Sequence, residues 1–406
     1  MKRGVGDRLE LEVSKVVHGG LGLARHEGFV LFVKDTLPGE KVVCEVTHVK
    51  KNHAFADLLD VTSPSPHRVR HIWPEADYSR PPDNRAGGAD FGHIERGHQL
   101  EIKTEILQQA LRQFAGVSES ELSGVHVTAP DGDRDGLHWR TRVTLHVDEQ
   151  GRAGPRAEGS HRVISVSSLP LATEALNRLG AHTSSWEGHQ RLRLVDSSED
   201  GARMVIDRQT PQRIRERVGD HVFELSDQGF WQVHHAAAST LHRAVSDAVR
   251  RHTFDESAEH WDLYSGVGLF ATALLDGLGH GAHVVSVESD ADAVSYAQKN
   301  LSRFPHAKSI AHSTEAFVSH VDSDSLERLG VVVLDPPRAG AGQAVVSALV
   351  KREPQLVVYV ACDPVALARD IYHFTKEGYR VESLSGFDFF PHTHHMEAIA
   401  TLVPGD

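Results

Sequence analysis

From His235 to the C-terminus the chain alternates strand-like and helix-like segments, and this rhythm restricts the fold more than any other feature. Helical periodicity covers Ala236–Arg250, Leu269–Leu278, Ala291–Phe304, Gln343–Lys351 and Pro364–Phe374. Between these lie short apolar runs: His260–Tyr264, Val284–Glu288, Val331–Asp335 and Leu356–Ala361. Runs as continuously apolar as Val331-Val332-Val333-Leu334 suit strands covered on both faces. Residues 226–406 are therefore expected to form a doubly wound, Rossmann-like parallel sheet, with ligands beyond the carboxyl ends of its strands.

The preceding residues follow different patterns. Residues 1–62 alternate apolar and polar positions over Leu9–Val17, Phe29–Val33, Lys41–Val49 and Ala54–Val61, broken by turn signals at His18-Gly19-Gly20 and Leu37-Pro38-Gly39-Glu40. Several strands in so few residues predict a small β-barrel of the oligonucleotide-binding sort. Ser63-Pro64-Ser65-Pro66 reads as a linker, and residues 63–225 as a mixed α+β domain with an amphipathic helix over Ile102–Phe114 and a second helix near Leu171–Leu179.

Charge and cysteine content narrow the function classes. The net charge of −13 excludes a protein that coats nucleic acid nonspecifically, because neutralising phosphates requires clustered Lys and Arg. The charge is uneven: nine basic residues meet nine acidic ones in 1–62, 21 meet 24 in 63–225, and 13 meet 23 in 226–406. In the middle segment 20 of the 21 basic residues are arginine, the side chain suited to bidentate phosphate contact. Two cysteines, Cys44 and Cys362, can make neither a disulfide framework nor a four-thiolate metal site. With no apolar leader and no apolar run of membrane-spanning length, a cytoplasmic protein without membrane contact is expected.

Three motifs fall at the predicted ligand edge. Asp262-Leu263-Tyr264-Ser265-Gly266-Val267-Gly268 follows a strand and opens a helix, so Gly266 and Gly268 allow a tight turn and close approach of a ligand. Glu288, twenty residues past Gly268 at the end of the next strand, is placed to accept hydrogen bonds from ribose hydroxyls. The spacing serves a dinucleotide or S-adenosylmethionine equally. In Asp335-Pro336-Pro337-Arg338 the prolines end a strand and fix Asp335 at the edge. Cys362 occupies the next strand-to-helix turn, where the helix N-terminal field is expected to lower its pKa. Cys44 sits inside an alternating strand and reads as structural.

Together these segments resemble the S-adenosylmethionine-dependent RNA uracil-C5 methyltransferases over most of the chain. The resemblance rests on DLYSGVGLF, SVESD, LDPPRAG, YVACDPVALARD, GFWQVH and the closing FDFFPHTHHMEAIATL. It implies a TRAM RNA-binding barrel at 1–62 and a methyltransferase domain at 226–406. S-adenosyl-L-methionine would be bound by Gln232, Tyr264, Gly266, Gly268, Glu288 and Asp335. Catalysis would use Cys362 as nucleophile on uracil C6, Asp335 to orient the uracil edge and Glu397 as base for the C5 proton. The implied substrate is a uridine in RNA, ribosomal RNA favoured over transfer RNA, and the implied state a monomer.

Departures from the family pattern matter too. Ala361-Cys362-Asp363-Pro364 stands where the family usually has Ser-Cys-Asn-Pro, and an ionised Asp363 would raise the thiol pKa. Many members bind an iron–sulfur cluster through four cysteines; the matching positions here are Ala76, Ala86, Ala89 and Leu169, so no cluster is expected. The resemblance assigns His392, His394 and His395 to the base-bearing motif, and neither these nor His234 and His235 are expected to bind metal. In Trp139-Arg140-Thr141-Arg142-Val143 the arginines either face RNA or lie on a solvated strand face. Two rival readings remain: an RNA-binding protein with weak or lost turnover, and an amino-group methyltransferase using the Asp335-Pro336-Pro337 motif.

Overall fold

The computed structural model describes residues 4–320 and 329–405. The expected architecture is present. Five strands, Arg8–Val17, Leu21–His26, Phe29–Val33, Lys41–Val49 and His53–Ser63, close into a barrel whose core includes Val13, Leu31, Val46 and the fully buried Cys44. The second strand was not legible because its short run holds only three apolar side chains, Leu21, Leu23 and Ala24.

The C-terminal sheet has eight strands, in the order Ala307–Ala311, His283–Glu288, Glu259–Leu263, Leu329–Leu334, Leu356–Ala361, Glu397–Pro404, Tyr379–Phe387 and Val127–Thr128. The first five are parallel. Glu397–Pro404 enters reversed, antiparallel to both its neighbours, which corrects the expectation of a purely parallel sheet. The reversal matters for function. At the edge where parallel strands end, a reversed strand begins, so its first residue, Glu397, lies among their last ones.

Residues 63–225 do not pack as one body. Helix Arg96–Ala110 buries Ile102, Ile106, Leu107 and Ala110 in the core of the large sheet, and Val127–Thr128 extends that sheet's edge. The same helix buries Lys103, whose ammonium donates to Asp388 Oδ1 at 2.5 Å and to the Phe390 carbonyl at 3.0 Å. Arg96 donates to Asp388 Oδ2 at 2.6 Å, so the loop leading into Glu397 is anchored by two cations on one helix. The separate core of the middle region forms around a four-stranded sheet and contains Trp73, Trp139, Leu145, Leu192 and Leu194. Ala76, Ala86, Ala89 and Leu169, the four positions matched to cluster ligands, all lie buried in that apolar core. Alanine and leucine offer no metal ligand, and these side chains pack against one another instead.

The fold should be acid-sensitive. Burial holds His71, His234, His242, His260 and His395 near pKa 4, so the native state resists protonation while the unfolded chain takes protons below about 6.5. Stability from these groups is complete above that value and is lost as pH falls from 6.5 toward 4. Asp35 and Asp335, raised to about 7 by burial, and Asp262 and Glu397, also raised, act in the opposite sense, but burial lowers His93, His146, His182, His235 and His392 as well, so the histidines outnumber them. A thermal midpoint lower at pH 5 than at pH 7.5 by on the order of 10 °C is expected, read by calorimetry.

Candidate active site

The glycine loop is built as its spacing requires. Tyr264, Gly266 and Gly268 have φ of 63°, 53° and 93°, and Gly268 caps helix Leu269–Leu278. A side chain at Gly266 would meet nothing within 4 Å, so this turn faces open space. Below it, Asp262 is fully buried: Oδ2 accepts the Ala271 N–H at 2.7 Å, whereas Oδ1 has no partner. Burial pushes its carboxyl far above the usual range.

Glu288 ends the neighbouring strand and ties the pocket together. Its Oε2 accepts the Gly266 N–H at 3.0 Å, and its Oε1 accepts those of Ser289 and Asp290 at 2.6 and 2.8 Å. The Tyr264 hydroxyl reaches Glu315 at 3.4 Å. Gln232 follows the buried Trp231 and precedes Val233, whose carbonyl accepts both the N–H and the hydroxyl of Thr141; the Gln232 side chain makes no hydrogen bond among the described residues. An acceptor at Glu288 above a glycine turn open to solvent fits the ribose and close backbone approach of a nucleoside such as S-adenosylmethionine.

Cys362, Asp335 and Glu397 converge beside this pocket. Ala361 pairs with Ala398 across two antiparallel strands, so the next residues, Cys362 and Glu397, face each other across the strand ends. The Asp335 N–H donates to the Leu263 carbonyl at 3.3 Å, which holds Asp335 against the glycine-loop strand. Burial, then the charge of Asp335, pushes the Glu397 carboxyl well above its ordinary range. Burial first, then Glu397 and Asp335, pushes the Cys362 thiol up to about 11. This reverses the expected lowering: in the ligand-free site desolvation and three acids, Glu397, Asp335 and Asp363, outweigh Arg338.

Asp363 contributes to that rise, as expected of an ionised neighbour, and it has a second role. It caps helix Pro364–Lys376, its Oδ1 accepting the N–H groups of Val365 and Ala366 at 3.0 and 2.9 Å. Its Oδ2 lies 2.9 Å from Nε2 of His18, in the first turn of the barrel. Although burial opposes ionisation, His18 and these backbone donors hold its carboxyl below the usual value. Asparagine can also cap, but a carboxylate is the stronger acceptor for the His18 ring. Asp363→Ala is expected to cost about 1 kcal/mol of stability, and Asp363→Asn only a few tenths with methyl transfer retained within about tenfold, checked by denaturant unfolding and initial rates.

The barrel turn His18-Gly19-Gly20, which in the sequence carries only a turn signal, thus borders the site. Gly20 sits so close to His394 that a Cβ there would lie 2.8 Å from the His394 Cβ. His394 in turn bonds Asp90 at 2.6 Å, and His392 is enclosed by Gln99 and the Asp135 carbonyl. These histidines serve the loop's packing. His221, His242 and Asp276 place three donor atoms within 4.8 Å elsewhere in the fold, but the Arg303 guanidinium donates to His221 Nδ1, and this fixed positive charge opposes a cation. The arginines of the 139–143 segment do not project freely: Arg142 pairs with Glu216 at 2.9 Å, and Arg140 lies over the Trp139 ring while donating to the Arg142 carbonyl.

Fold and site together define an α/β protein with an open glycine turn, a strand-end glutamate and a cysteine at one sheet edge, joined to a small five-stranded barrel. A family model described as tRNA (Uracil-5-)-methyltransferase matches residues 192–403, and one described as TRAM domain matches residues 2–59. An uncharacterized RNA methyltransferase of Streptomyces coelicolor is 36% identical, covering 98% of this chain and 93% of its own length. The tRNA (uracil(54)-C(5))-methyltransferase of Schizosaccharomyces pombe is 27% identical over 94% of this chain and 75% of its own length. The solved structure of Pyrococcus abyssi tRNA (uracil-54, C5)-methyltransferase in complex with S-adenosyl-L-homocysteine matches with a TM-score of 0.71 at 22% identity, covering 97% of this chain and 99% of that one. The chain belongs to the S-adenosylmethionine-dependent RNA (uracil-5-)-methyltransferase family. No helix of the described residues is long and apolar enough to cross a membrane.

Proposed function

We propose that the protein methylates C5 of a uridine in RNA through a covalent adduct on Cys362. The observation that carries this reading is the convergence of Cys362, Asp335 and Glu397 at the sheet edge beside the glycine pocket. Uracil C5 is a weak nucleophile. Attack of the Cys362 thiolate on C6, its proton released to solvent, pushes the C5–C6 electron pair toward the C4 carbonyl and makes C5 nucleophilic. Asp335 holds the uracil edge against the thiol. When bound against Gly266, Gly268, Tyr264, Glu288 and Gln232, S-adenosylmethionine supplies an electrophilic methyl and a positive sulfonium that favours the ionised forms of the three groups. Glu397 then removes the C5 proton, the C5–C6 double bond reforms, and the C6–S bond breaks to return the thiolate. A base stacked in RNA cannot reach a half-buried thiol, so the target is extruded into the site.

We propose a cytoplasmic monomer. The target RNA has two readings. The barrel suggested ribosomal RNA, whereas the yeast and archaeal relatives are named for uracil-54 of tRNA, which favours tRNA. Incubation with labelled S-adenosylmethionine and either tRNA or rRNA transcripts, followed by nucleoside analysis, separates them. Formation of 5-methyluridine in one is expected, and label in a methylated amino group instead overturns the reading in favour of the amino-group alternative. Binding of RNA without any transfer would favour the RNA-binding alternative.

A further inference from the structure

Twenty arginines lie between residues 63 and 225, and their partners divide them into two groups. Twelve pair with carboxylates, as Arg213 does with Glu224, Arg215 with Asp200 and Arg217 with Glu199, and so have their charge neutralised within the fold. Of the other eight, Arg156, Arg191 and Arg208 line a single open cavity of about 370 Å³, together with His146 and His161. None of the three pairs with a carboxylate among the described residues. Asp207 is the one acid lining the cavity, and its oxygens are taken by His189 and the N–H groups of Gln190 and Arg191.

Three guanidinium groups share this cavity with a single carboxylate that is already hydrogen-bonded, so positive charge is in excess there, in a protein that neutralises most of its neighbouring arginines. We infer that this cavity binds a phosphate of the RNA backbone and so positions the substrate away from the reacting base, an inference that rests on the proposed function. Guanidinium groups match phosphate oxygens bidentately, and such contacts set register without reading sequence. The cavity is also suitably remote. The strand that carries His146 begins beside Thr141, which is bonded to Val233 next to Gln232. Five residues of strand separate Thr141 from His146, about 16 Å at about 3.3 Å per residue. At that remove from Gln232 the phosphate belongs to a nucleotide other than the target.

The test uses the full chain carrying R156Q, R191Q and R208Q together, with fluorescein-labelled tRNA and rRNA transcripts and anisotropy read between about 50 and 200 mM salt. Expected are RNA binding weaker by about 10–100-fold at low salt and a log–log salt slope smaller by about two to three, with S-adenosylmethionine affinity and kcat at saturating RNA within about twofold. The lysine triple variant R156K, R191K and R208K should restore the slope. Unchanged RNA affinity and slope overturn the inference. So does tight binding of inorganic pyrophosphate that is lost in the glutamine variant while RNA affinity stays unchanged, because the cavity then serves a small phosphate ligand. Absence of uridine methylation by the unaltered protein would count against the proposed function, whereas the anisotropy result would still decide the phosphate site.

Discussion

Replacing Cys362 by alanine is expected to lower methyl transfer to RNA by about four orders of magnitude or more while leaving S-adenosylmethionine affinity unchanged. The size follows from the chemistry: without addition at C6, uracil C5 has no electron pair available for methylation, and no neighbouring group substitutes for the sulfur. Cys44 cannot, because it is buried in the barrel core. Single-turnover assays with labelled cofactor, beside equilibrium dialysis of the same variant, separate lost chemistry from lost binding. The pH dependence should follow the same group. With the ligand-free thiol pushed up to about 11, reactivity should rise with pH across the neutral range, and cofactor binding should move that rise to lower pH.

Replacing Glu397 by glutamine is expected to slow multiple turnover by about a thousandfold and to leave the first methyl transfer much less affected. The glutamine retains the shape and the cross-strand position opposite Cys362 but cannot take the C5 proton, so methylated RNA should remain joined to the protein. A denaturing gel would then show an RNA-shifted protein band that grows with time and carries label from the methyl group. The substitution also removes a carboxyl that burial and Asp335 push upward, so the variant should be no less stable than the parent near pH 7.

The parts of the site set by local spacing were legible in the sequence. The glycine turn and Glu288 depend on one strand, one turn and the next strand, and all three are encoded within about thirty residues. The geometry of Cys362 opposite Glu397 was not, because it depends on the last strand entering the sheet reversed, a tertiary choice that leaves no local pattern in Glu397–Pro404. Burial and neighbouring acids reversed the sign expected for the thiol, since periodicity does not report how much water a strand-end residue retains. The charge of Asp363 raises the thiol pKa as the sequence led one to expect, but its second role was not legible. Its partner His18 lies 345 residues away on another domain, and only the docking of the barrel gives Asp363 this hydrogen bond. The arginine-rich middle segment was visible as composition, yet which arginines are neutralised depends on strand pairing, such as Arg213–Val218 against His221–Ser226.

The most direct measurement of the central claim is mass analysis of the protein after incubation with S-adenosylmethionine and RNA carrying 5-fluorouridine, whose fluorine replaces the proton that Glu397 must remove. The account predicts a stable adduct in which one methylated 5-fluorouridine is linked to the peptide containing Cys362. A protein that methylates ordinary RNA but gives no such adduct, or that gives one on another residue, would contradict it.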